Sequence, residues 1–188
     1  MKDSLLKFDT IVAACALLMS SVTAAAMVYQ TRVLQDQFSA TVWPYLSVDT
    51  SISASSVTVA LTNNGAGSAL IRSASLELDG KPAAGWREVV MAIAADVPHV
   101  KGGHVSSSEG SVDPSMAIRA GDSHRVLAVE TGTLPIVPAA RKHRVVLRVC
   151  YCSINDRCWN VEAVPGSSDL NLPKPVARCA QPHSILAD

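Results

Sequence analysis

Four cysteines carry the side chains most capable of chemistry in this sequence: Cys150, Cys152, Cys158 and Cys179. Thiolates can hold soft metals, exchange disulfides or pair as cross-links. The run C-x-C-x5-C lacks the C-x2-C pairs of strong zinc and iron–sulfur motifs. An even number on an exported domain points instead to two disulfides. Cys150 and Cys152 lie two apart on one strand and point to the same side, where joining them directly would strain the backbone. Cys152 can face Cys158 across the turn of residues 153–157, leaving Cys150 for Cys179, which would pin the tail to the body. Metal ligation and a thiol–disulfide activity through Cys150 and Cys152 stand as the alternatives. The fifth cysteine, Cys15, sits in an apolar run and reads as a small apolar residue.

A second candidate is the loop carrying His99 and His104. These flank Gly102-Gly103, with Ser106, Ser107, Ser108, Glu109 and Asp113 nearby. Such residues could form a Ser–His–Asp constellation or a two-histidine metal site, making the protein a metal-dependent enzyme or sensor. Polar residues also collect in any solvated loop. There is no Gly-x-Ser-x-Gly elbow and no His-Glu-x-x-His pair. The expectation is therefore no catalysis, no metal and no cofactor, with His99 and His104 as partner-contact candidates. Arg141, Lys142 and Arg144 join them, from the basic run Arg141-Lys142-His143-Arg144. That run would meet an acidic partner or anionic headgroups, or simply solvate the start of a strand. Sixteen basic residues balance sixteen acidic ones among 188. Zero net charge counts against a nucleic-acid partner and against a charged disordered chain.

These side chains need elements to hold them. No Asp, Glu, Lys or Arg lies between Asp9 and Arg32. Residues 10–31, as a helix, would extend about 33 Å, enough for a ~30 Å hydrocarbon core. Lys2 and Lys7 precede the run, which favours a cytoplasmic N-terminus and an exported remainder. Ala24-x-Ala26 resembles a signal-peptidase site, yet the apolar run continues through Met27, Val28 and Tyr29, so a retained anchor is expected. Ala16, Ser20 and Ala24 are four apart and share one face, a spacing that lets membrane helices pack closely. They are candidates for self-association or for packing on another membrane protein. Residues 32–42 continue as a helical linker, with 1–9 on the cytoplasmic side.

From Trp43 the apolar period changes to two. Residues 57–62 alternate as a strand, Asn63-Asn64-Gly65-Ala66-Gly67 turns, and residues 69–78 resume as strand; a hairpin or neighbouring pair is expected. Trp86, Val89, Val90 and Ile93 fall at i, i+3, i+4 and i+7, predicting one short amphipathic helix over residues 86–95. Residues 96–115 read as a long loop. Strands follow at 116–118 and 124–129, then a turn or short helical bend at 134–140. The clearest hairpin runs in over 144–152 and back over 158–164. Residues 165–188 read as an extended tail, and Trp43 and Tyr45 as either interfacial aromatics or the start of the core. The fold class expected is mainly β: a transmembrane helix, then an antiparallel immunoglobulin-like β-sandwich over 43–164 with one short helix.

Trp43-Pro44-Tyr45-Leu46 after a membrane helix, the turn Asn63-Asn64-Gly65-Ala66-Gly67-Ser68-Ala69, and the hairpin Tyr151-Cys152-Ser153 with Cys158-Trp159 resemble a loose group of bacterial single-pass membrane proteins with an exported immunoglobulin-like sandwich. The resemblance spans residues 10–164 and implies an architecture, not an activity. Together these readings predict a non-catalytic interaction module, an accessory or scaffold subunit anchored in a bacterial inner membrane with its body in the periplasm.

Overall fold

The structure, a computed structural model, describes residues 2–53, 55–97, 105–131, 136–165 and 172–180. The chain divides into two compact units that meet in sequence between Thr41 and Val42.

The first unit is a single helix, α1 (Lys2–Thr41). Its stretch Ile11–Phe38 contains an 18-residue window of mean hydropathy 2.2 and is long and apolar enough to cross a membrane. The linker expected at 32–42 is an unbroken continuation of that helix. The serine and threonine hydroxyls of the span are paired with the helix backbone. Ser20 Oγ donates to the Ala16 carbonyl, Ser21 Oγ to Leu17, Thr23 Oγ1 to Met19 and Thr31 Oγ1 to Met27, each at 2.8–2.9 Å. Back-bonding of this kind makes Ser and Thr tolerable where no water can solvate them.

The second unit is mainly β, with two antiparallel sheets. Its strands are β1 (Leu46–Ile52), β2 (Ser56–Asn63), β3 (Ala69–Leu78), β4 (Lys81–Ala83), β5 (Ser106–Glu109), β6 (Ala117–Ile118), β7 (Ser123–Glu130), β8 (Val145–Cys152), β9 (Cys158–Ala163) and β10 (Lys174–Val176). Two helices accompany them, α2 (Trp86–Ala95) and α3 (Ile136–Ala140). One sheet has the order β1-β2-β7-β5; the other has β10-β9-β8-β3-β4, with β6 also on β3. Side chains alternate along the strands, so Leu46, Leu61, Val59, Ile71, Leu147, Val149 and Val161 from both sheets bury in one core.

The expected hairpin of residues 57–62 with 69–78 does not form. β2 pairs with β1 and β7, whereas β3 pairs with β8 in the other sheet. The Asn-Gly segment between them is a crossover between sheets, and Asn63 is the reason it can be. Fully buried, Asn63 accepts at Oδ1 from the Tyr45 and Gly65 amides and donates through Nδ2 to the Gly67 and Ile118 carbonyls. Backbone packs so closely here that a Cβ on Gly67 would lie 1.9 Å from the Val42 carbonyl oxygen, and one on Gly65 2.2 Å from the Tyr45 nitrogen. Glycine is needed for that approach.

The hairpin of β8 and β9 forms in the expected register, with Cys152 opposite Cys158. α2 forms over the predicted residues and buries Trp86, Val89 and Val90. Its first turn is held by Glu88, whose Oε2 accepts from the Ala84 amide at 2.9 Å. Two segments read as irregular hold strands: Ser106–Glu109 pairs with β7, and Lys174–Val176 pairs with β9.

Candidate functional site

Cys150 and Cys152 lie on β8, where they alternate with the buried core residues Val149 and Tyr151 and so point away from the core. The structure joins Cys152 to Cys158 across the hairpin, with Cα atoms 4.0 Å apart, and Cys150 to Cys179, with Cα atoms 5.7 Å apart. The short separation of the first pair follows from direct cross-strand pairing. The second pair lays the C-terminal segment over the outer face of its sheet. The two bridges touch: Cys152 Sγ lies 3.8 Å from Cys179 Sγ. Among the described residues, Cys152, Cys158 and Cys179 are the metal-capable side chains that converge. Bonded as disulfides, their sulfurs are not thiolate ligands.

An aromatic row begins where the chain leaves Val42. Trp43 meets Tyr45 edge-on at 5.6 Å and Trp159 at 6.4 Å, and Trp159 stacks on Tyr151 at 5.8 Å. Trp43 is 44% exposed, whereas Tyr151 is fully buried. The Leu46 amide donates to the Tyr151 hydroxyl oxygen at 3.1 Å. Burial pushes that phenol up to about 12, against the opposing pull of the Leu46 amide.

The basic run divides by environment. Asp79 and Gly80 both have positive φ and form the two-residue turn between β3 and β4. That turn aims Asp79 at the start of β8, where its carboxylate accepts from the Arg144 amide at 2.7 Å and meets His143 Nδ1 at 2.8 Å. The His143 hydrogen bond, then the Arg144 amide, hold the Asp79 carboxyl below its ordinary 3.8. Lys142 pairs with Asp96 at 3.1 Å. The Arg141 and Arg144 side chains have no ion-pair partner among the described residues, and both are exposed.

Those two arginines edge a cleft of about 440 Å³, within the range of small-molecule sites. It opens at the end of β1 and β2 away from Val42. Thr50, Ile52, Val57 and Val59 of these strands line one side, with Trp86, Val89 and Ile93 of α2 and Val137 of α3 against them. Among the described residues, two buried side-chain nitrogens lack a hydrogen-bond partner, Trp86 Nε1 and His143 Nε2, and both residues line this cleft. Nothing in the sequence pattern marks it, because its walls come from five separate segments. Trp86 and Val89 read there only as the core face of a helix.

Ala16, Ser20 and Ala24 lie exposed on α1. His99 and His104 lie outside the described residues. Asp113 is exposed, and its nearest side-chain partner is Ser111 Oγ at 3.5 Å. Comparison with protein-family models, curated proteins and solved structures finds no match.

Proposed function

We propose that the protein is a non-catalytic interaction module: a single-pass anchor carrying a disulfide-stapled body on the exported side of a bacterial inner membrane, where it serves as an accessory or scaffold subunit. One observation carries this reading. A helix whose apolar stretch can cross a membrane precedes a body with two disulfides, and disulfides persist in oxidising compartments such as the periplasm. The strand orders β1-β2-β7-β5 and β9-β8-β3-β4 correspond to A-B-E-D and G-F-C-C′ of an immunoglobulin-like sandwich. This fits the sandwich architecture expected of such a module and leaves function to the surface. Partners are another membrane protein or a second copy, met through the Ala16, Ser20 and Ala24 face, and the body surface around Arg141, Lys142 and Arg144.

The test is crosslinking in native membranes followed by co-purification. The expected result is a discrete crosslinked species that weakens when Ser20 is replaced by Leu, which blocks close helix approach. A protein that stays monomeric and crosslinks to nothing refutes the reading. Exposure of the body only to cytoplasmic labelling reagents refutes the topology.

A further inference from the structure

The cleft beneath α2 combines features that select a ligand. Its walls are aliphatic, from Val57, Val59, Val89, Ile93 and Val137. Its rim is cationic, with Arg141 and Arg144 unpaired among the described residues, and no carboxylate is among its lining residues. Asp79 and Asp96, which flank the lining residue His143, are engaged by His143 and Lys142. Trp86, 3% exposed, contributes to the apolar wall at the start of α2.

We propose that this cleft binds a fatty-acid-type amphiphile, one aliphatic chain ending in a carboxylate. The chain packs against the valine and isoleucine walls. The carboxylate meets the two exposed guanidiniums at the rim, and arginine suits a planar carboxylate. A peptide fits less well. Each of its residues brings an amide and a carbonyl that must be paired when buried. Beyond the rim, the described lining side chains that can hydrogen-bond are Thr50, Trp86 and His143, too few for the repeating amides of a buried peptide. An acyl chain puts all its polar atoms at one end. The inference goes beyond the interaction module and holds whether or not that reading survives.

The experiment uses the full chain in nanodiscs of zwitterionic lipid and a dodecanoic acid carrying a photoreactive diazirine, with crosslinks mapped by peptide mass spectrometry. The expected adducts fall on residues 86–95 and 137–145. Unlabelled dodecanoate should displace them, and dodecyltrimethylammonium should not. The double variant R141E/R144E, altered only at exposed side chains, should lose labelling at least tenfold while keeping the wild-type Tm. Adducts confined to α1, equal displacement by the cationic amphiphile, or stronger displacement by an apolar tripeptide with a free carboxylate would each overturn the proposal.

Discussion

Asn63 makes four side-chain hydrogen bonds from a fully buried position, joining the start of β1, the crossover and β6. Truncation leaves two buried carbonyls and two part-buried amides without a partner, and each unsatisfied buried group costs about 1–3 kcal/mol before the backbone relaxes. Asn63→Ala is expected to lower unfolding stability by roughly 3 kcal/mol in denaturant titration. Asn64→Ala, at the exposed neighbour that bonds Ser47 Oγ, should stay within about 0.5 kcal/mol. Tyr151 gives a test by pH. Its phenol ionises near 10.0 when unfolded and near 12 when folded, so the folded state holds the proton more tightly. Stability from this group is therefore complete below pH 10 and declines as the pH rises through 12. Such a shift is worth on the order of 2–3 kcal/mol. Tyr151→Phe should be less stable at neutral pH, having lost the acceptor for the Leu46 amide. It should also show a flatter loss of stability between pH 10 and 12 in chemical denaturation.

Among the elements, α2 separates its two faces cleanly. Val89 is 1% exposed against the core and Met91 is 67% exposed. Val89→Asp buries an unpaired carboxylate and should leave little folded protein, whereas Met91→Asp should change stability by about 0.5 kcal/mol or less. Circular dichroism against temperature distinguishes them. That helix was legible because its period of 3.6 is set by the same burial that fixes it in place. The β8–β9 hairpin was legible for a related reason: its turn, its alternation and its cysteine spacing all specify one register. Pairing of β2 was not. Alternation tells which side of a strand faces the core, and it carries no information about which strand lies beside it. The choice is made by Asn63 and by the close approach of Val42 to Gly67, contacts between distant or unpatterned positions. β5 escaped notice because Ser106, Ser107 and Ser108 are all exposed at a sheet edge, so no apolar rhythm marks them. The cleft escaped for a third reason, since a concavity made by five segments has no local signature.

At the scale of the molecule, the body has to be stable with a modest core, and its bridges contribute most where they close the longest loop. Cys150 and Cys179 are 29 residues apart, Cys152 and Cys158 only 6. Loop-closure entropy assigns about 3.6 kcal/mol to the first and about 2.2 kcal/mol to the second. Removing the pair by Cys150→Ala with Cys179→Ala should therefore lower the denaturation midpoint more than removing Cys152 with Cys158, despite leaving the hairpin bridge intact. The longer bridge also changes how the chain responds to a protease. Any single cut between Cys158 and Cys179 opens the polypeptide without releasing a fragment, because Cys150 still holds the severed end. Such a protein would migrate as one intact species on a non-reducing gel and fall into two only with reductant. Damage in this region would go undetected by size alone, and the severed C-terminal piece would stay with the body.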